Sequence, residues 1–187
     1  MLSLFKKKRD RLNVGALYQH LVERSRHPVF YTQCGVPDTI DGRFDLLGLH
    51  VHLVLRDIRR RGQGREPLGQ AVFDAFFGDL DQGLRESGVG DLSVAKKIRK
   101  MAEAFYGRAA AYDAAMGQAV AQDACKSSLS AAIARNVLQT EPNKFSDTLA
   151  AYSIELEQSL SGAPLDDILS GNILRLAPNL TGNSNAS

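Results

Sequence analysis

VFDAFFGDLDQGLRESGVGDLSVAKKIRKMAEAFYGR, residues 72–108, carries two helix-period apolar patterns on either side of a glycine-containing break. At 100° per residue, Val72, Phe73, Phe76, Phe77, Leu80 and Leu84 fall within an arc of roughly 140°, with Asp74, Asp81 and Arg85 opposite. After Ser87-Gly88-Val89-Gly90, Asp91 or Ser93 can cap a second helix. Its Val94, Ile98, Met101, Phe105, Tyr112 and Met116 lie within roughly 80° of one another, a narrower seam. Two amphipathic helices around Gly88 and Gly90 point to an all-α fold.

The charges at this junction break a local rule. Lys96, Lys97, Arg99 and Lys100 occupy the first two turns of the second helix, where the dipole disfavours cations by about 0.3–1 kcal/mol each. Asp79, Asp81, Arg85, Glu86 and Asp91 surround the turn. With Lys96 and Lys97 they read as the rim of a surface that grips another polypeptide, the charges setting register. The plain alternative is a solvated face, with Asp81 and Arg85 an ordinary i,i+4 pair worth about 0.3–0.5 kcal/mol.

LHVHLVLRDIRRRG at 49–62 and FDAFFGDLDQGLRESGVGDLSVAKKIRKMAEAFYGR at 73–108 together resemble the ubiquinol-cytochrome c chaperone family. The resemblance covers about residues 28–112, is most specific at ESGVGDL and the basic helix after it, and thins toward both ends. It implies an assembly factor for the cytochrome bc1 complex that binds newly made cytochrome b as its client, with no catalysis and no cofactor of its own. Mitochondrial members act near the ribosomal exit and carry a long leader. Here a basic start runs at once into the first helix, which points instead to a bacterial cytoplasmic protein close to the inner membrane.

Upstream, Asp41 to Arg61 repeats the helical pattern, with Phe44, Leu47, Val51, Val54, Leu55 and Ile58 on an arc of roughly 100°. Leu46, Leu49 and Leu53 form a second stripe. A helix apolar on two sides is either central in a bundle or offers one stripe, here Leu46, Leu49 and Leu53, as an exposed groove for an apolar client. The alternation in Leu49–Leu55 also fits a strand, but the pattern is too long for one, and Gly62 can end the helix after Arg59, Arg60 and Arg61. His50 and His52 point about 160° apart on a helix, so they do not chelate one metal ion together.

Residues 28–43, PVFYTQCGVPDTIDGR, lack a helical period and read as an irregular connection in which Tyr31 is a candidate client contact. Before it, Asn13 should cap a helix to about Arg26 that buries Val14, Leu17 and Leu21. At the start, Leu2, Leu4 and Phe5 followed by Lys6, Lys7, Lys8 and Arg9 could meet a lipid surface, or simply solubilise a frayed end. Downstream, the alanine-rich run from Ala109 to Ala134 allows one long helix or two joined near Gly117 or Lys126-Ser127-Ser128. A further helix is expected from about Lys144 to Leu160, and a short one at Leu165–Leu169.

Composition bounds the functions. The 187 residues, 44% hydrophobic, suffice for one core, and no window approaches the roughly 18 apolar residues of a membrane span. Two cysteines, Cys34 and Cys125, show no metal or disulfide spacing and should be reduced thiols. No Ser-His-Asp grouping, P-loop or nucleotide-binding glycine motif is present, so an enzyme is not expected. Residues 1–65 hold thirteen basic and six acidic side chains and residues 66–187 ten and fifteen, +7 and −5 within a net +2. The basic half supplies the alternative, a ribosome- or RNA-binding module using Arg56, Arg59, Arg60, Arg61 and Arg65 on phosphates. The expectation is a single-domain, non-repeating bundle of about six or seven helices: a basic segment at 1–12, the helical domain at 13–176 and a disordered tail at 177–187.

Overall fold

α3 (Ile40–Arg60) is the axis around which the other helices pack, and fourteen of its residues are buried. The structure, a computed structural model, describes the backbone of residues 2–117 and 122–175 and the side chains of 14–117 and 123–174. Around α3 lie α1 (Leu2–Ser25), α4 (Glu66–Glu86), α5 (Asp91–Gly117) and α7 (Lys144–Gly162), while α6 (Gln122–Ile133) packs between α5 and α7. One turn of helix, α2 (Val29–Thr32), precedes α3; α8 (Leu165–Leu169) and α9 (Asn172–Arg175) pack beneath α1. No strand occurs among the described residues.

Both apolar stripes of α3 are interior. Leu46 and Leu53 have no exposed surface and Leu49 has 1%, so of the two readings the central helix holds and the client groove along this stripe does not. Central position is the physical reason: neighbours on several sides cover α3 all round from Phe44 to Val54. Thr39 caps its start by accepting from the Gly42 amide at 3.1 Å. A side chain at residue 42 would meet the Pro37 carbonyl oxygen at 2.1 Å, so only glycine lets the incoming chain cross here.

Four aromatic rings join α3, α4 and α5. Phe44 stacks on Phe76 at 5.5 Å, Phe77 meets Phe76 edge-on at 4.9 Å, and Phe105 lies 5.6 Å from Phe76. A polar chain crosses the other side of the core. His50 Nδ1 donates to the Leu46 carbonyl at 2.8 Å, so its Nε2 accepts from the Tyr152 hydroxyl at 2.8 Å, and that oxygen accepts from Arg24 Nε at 2.6 Å. The direction follows because the Leu46 oxygen can only accept and the guanidinium can only donate. Desolvation, reinforced by the Arg24 charge, holds His50 neutral with a pKa of about 4, and burial pushes Tyr152 up to about 12.

Several local expectations need correction. Helix α1 is continuous from Leu2 to Ser25, so Asn13 is an interior residue rather than a cap, although Val14, Leu17 and Leu21 are buried as its period requires. The 28–43 connection contains α2, whose Phe30 is buried against His50 and Tyr152. A π-helical turn, Ala134–Leu138, ends α6, and Gln139 reverses the chain in a left-handed conformation at φ 54°. No periodicity marks an i→i+5 turn in advance. The 177–187 tail lies outside the described residues.

α7 begins with a capping box. Asn143 Oδ1 accepts from the amides of Phe145 and Ser146 at 2.9 and 3.3 Å, and Ser146 Oγ accepts from the Asn143 amide at 2.9 Å. Asn143→Ala should therefore cost about 1 kcal/mol and Asn143→Gly only a few tenths, measured by urea unfolding. No loss in Asn143→Ala would show that the side-chain bonds contribute nothing.

Candidate functional site

The α4–α5 turn is closed by its own charges. Gly88 adopts φ 81°, a left-handed conformation suited to glycine, and the Gly88 and Val89 amides return to the Arg85 and Leu84 carbonyls. Ser93 and Val94 donate their amides to the Gly90 carbonyl, which puts Asp91 in the first helical turn; neither Asp91 nor Ser93 forms the expected side-chain cap. Asp91 turns instead toward Arg85, whose guanidinium also holds Asp81 at 2.6 and 3.3 Å. One arginine thus ties the end of α4 to the start of α5.

The other rim residues differ in how free they are. Asp79 accepts from the Tyr18 hydroxyl of α1 at 2.8 Å, and Glu86 accepts from Gln82 one turn back at 2.8 Å. Lys96 and Lys97 are exposed, and among the described residues neither forms an ion pair. Tyr31 belongs to a different hollow, lined with Arg26, Asp38 and Arg43, and its hydroxyl donates to the Ser25 carbonyl at 2.9 Å.

The basic end of α3 is mostly spent on internal ion pairs. Arg56 donates to Glu157 at 2.9 Å and to Asp113 at 2.5 Å; Arg59 reaches Asp113 at 3.0 Å and Arg60 reaches Glu157 at 2.7 Å. Arg61 is half-buried, donating to Asp57 at 2.5 Å and to the carbonyls of Leu160 and Ala163. Asp113 is held below the usual carboxylate range: its partial burial works the other way, but the Arg56 hydrogen bond and the nearby positive charges outweigh it. Arg56 and Arg61 therefore fasten α3 to α5 and α7, which gives no support to the alternative in which this run binds phosphates. The side chains of Lys6, Lys7, Lys8 and Arg9 lie outside those described.

A groove of about 550 Å³, missed by the sequence reading, opens between the second half of α3, the start of α4 and the middle of α5. Leu55, Ile58, Phe73 and Phe105 form its apolar walls, and Arg59, Arg65 and Glu66 stand at its mouth. Tyr106 lies beside Phe73 with ring centroids 5.5 Å apart and remains 59% exposed. The signal was present: Tyr106 follows a seam residue, so it must fall about 100° off the buried stripe. His52 borders the groove, and burial, partly opposed by Asp113 at 3.5 Å, lowers its pKa to about 4. A volume in the range of about 300–1,000 Å³ with apolar walls and a polar mouth suits an apolar side chain of a partner.

Among the described residues no group of three or more His, Cys, Asp or Glu could hold a metal ion, and Cys34 is buried with its thiol raised to about 11 by desolvation. None of the described helices is long and apolar enough to cross a membrane.

Comparison with known proteins agrees with the helical architecture. A family model described as ubiquinol-cytochrome C chaperone matches residues 32–176 and so reaches well into the C-terminal helices, beyond the 28–112 region where the resemblance was strongest. The chain is 26% identical over 164 residues to ubiquinol-cytochrome-c reductase complex assembly factor 1 of Xenopus laevis, covering 85% of this chain and 78% of that protein. The Mus musculus protein of the same name is 26% identical over 105 residues, and the chain spans 36% of its length. The crystal structure of the Cbp3 homolog from Brucella abortus superposes with a TM-score of 0.75 at 33% identity, covering 91% of this chain and 93% of that one. The chain belongs to the ubiquinol-cytochrome C chaperone family.

Proposed function

We propose that this protein is a non-catalytic chaperone for assembly of the ubiquinol-cytochrome c reductase complex, and that it holds newly made cytochrome b until partner subunits arrive. The observation that carries the reading is an apolar groove near one end of the α4–α5 pair together with a charged turn at its other end, about 20 Å along α5: the groove supplies affinity by removing apolar surface from water, and the charged rim of the turn supplies register. Asp79, Asp81, Arg85, Glu86, Asp91, Lys96 and Lys97 are the rim. Leu55, Phe73 and Tyr106 take the apolar role first expected of Leu46, Leu49 and Leu53, which are buried. Work at the inner-membrane surface is part of this proposal, since the client is a membrane protein.

The test is co-purification of cytochrome b with the tagged full chain from cells that make the complex. Asp91→Lys and Lys97→Glu should leave helicity unchanged, because exposed ion pairs contribute only about 0–1 kcal/mol, and should lower recovery of cytochrome b by about tenfold or more. Normal capture by both variants would remove the rim from the mechanism. Deleting the gene should deplete spectroscopic haem of the bc1 complex alone; a general loss of translated proteins would favour a ribosomal role.

A further inference from the structure

Among the described residues, two of the three most exposed large apolar side chains, Leu92 at 91% and Tyr106 at 59%, are on α5. Fourteen residues separate them, which on an α-helix means about 21 Å along the axis and only about 40° around it. Lys96, Arg99, Lys100 and Glu103 fall on the same stripe between them and are all exposed, while Val94, Phe105 and Tyr112 on the opposite side are buried. Arg99 is paired with Glu103 at 3.3 Å; Lys96 and Lys100 make no ion pair among the described residues.

We infer that this stripe of α5 is a docking track for an acidic amphipathic helix of a partner protein, which lies along it with an apolar side chain at each end. Leu92 is one apolar anchor, Tyr106 is the other, and the cations between them select glutamate and aspartate. Charge complementarity specifies the partner: apolar ends alone would accept any amphipathic helix, but the lysines reject a basic one. The Tyr106 end adjoins the 550 Å³ groove, so an apolar side chain of the partner can seat against Phe73 and Leu55.

That geometry favours a protein over a lipid surface or RNA. A membrane would engage an apolar tip and its ring of cations, leaving a recess about 21 Å away unused. A phosphate backbone would use the cations and leave Leu92 idle. The track deepens the docking role proposed above by specifying the chemistry of one partner, and its failure is separable from failure of that role.

The probe is a synthetic, labelled helical peptide of about 18 residues with apolar side chains fourteen positions apart and glutamates between them. Its control carries lysines in place of the glutamates. Fluorescence anisotropy with the full chain should show binding of the acidic peptide only. The Lys96→Glu/Lys100→Glu double variant should weaken it by at least about tenfold and begin to bind the lysine peptide, and Leu92→Ser and Tyr106→Ala should each weaken it. Absence of acidic-peptide binding, equal binding of both peptides, or indifference to the lysine reversals would overturn the track. So would anionic phosphatidylserine vesicles or a single-stranded RNA that binds in a Leu92- or lysine-dependent way while the peptide does not. If the wild-type chain still captures cytochrome b when the peptide fails, only the track is lost; if it captures none, the chaperone reading fails whatever the peptide does.

Discussion

Phe76→Ala is expected to lower the unfolding free energy by about 3–5 kcal/mol, the largest effect of any single change considered for this protein. Phe76 has no exposed surface and touches rings from three directions: Phe44 of α3 stacked at 5.5 Å, Phe77 of α4 edge-on at 4.9 Å and Phe105 of α5 at 5.6 Å. Alanine would remove the transfer free energy of the ring and leave a cavity where rings of α3, α4 and α5 meet, which helices of fixed spacing cannot close. Urea unfolding at neutral pH checks it, with Phe73→Ala as the comparison. Phe73 is half-buried at the groove, where water can fill the space, so its loss should be smaller. A Phe76→Ala loss no larger than that of Phe73→Ala would mean that α4 does not pack as described.

The second large effect is acid sensitivity through His50. Its folded pKa is about 4 against an ordinary 6.5, because desolvation and the Arg24 charge oppose protonation. A depressed histidine pKa means that the unfolded chain binds the extra proton first. The neutral imidazole's contribution is therefore intact above pH 6.5 and is lost as the pH falls toward 4, by roughly 3 kcal/mol. Protonation would also remove the Nε2 acceptor of the Tyr152 hydroxyl. His52, lowered to about 4, acts in the same direction.

Asp45 opposes them. Burial raises its carboxyl to about 6, and although Arg108 is 2.9 Å away the pair is not aligned as a hydrogen bond. Its carboxylate destabilises the fold above that pH and is relieved as the pH falls from 6 toward 3.8. The clean readout is therefore a difference. Between pH 7 and pH 4 the stability advantage of the wild type over His50→Asn should shrink by roughly 3 kcal/mol. A difference that stays constant across this range would show that His50 is not held neutral in the fold.

Much of the fold was legible because amphipathic period reports burial directly. The seam residues Val94, Phe105, Tyr112 and Met116 are buried, as are Val72, Phe76 and Phe77, and α8 spans the residues expected of it. The two stripes of α3 were also visible, yet period alone could not say whether both were covered. That depends on how many helices surround α3, a matter of long-range packing. For the same reason Leu46, Leu49 and Leu53 were candidates for a groove that the fold places elsewhere.

Charges were harder to read than apolar residues. Sequence shows that Arg56, Arg59, Arg60 and Arg61 are clustered, but Asp113 and Glu157, which engage three of them, lie far along the chain and arrive only through folding. Arg85 was paired correctly with Asp81 four residues away; its bond to Asp91 needed the turn at Gly88 to bring α5 back. His50 and Tyr152, 102 residues apart, gave no local sign of meeting.

The chain by itself determined its longer helices, the faces they bury and the family it belongs to, since each is written at spacings of three or four residues or in contiguous motifs; the single turns α2 and α9 and the π-helical turn are too short to show a period. Tertiary structure alone decided which surface remains open. A groove between α3, α4 and α5 exists only where three helices diverge, and divergence is set by side-chain volumes from distant segments packing together, which no local pattern records.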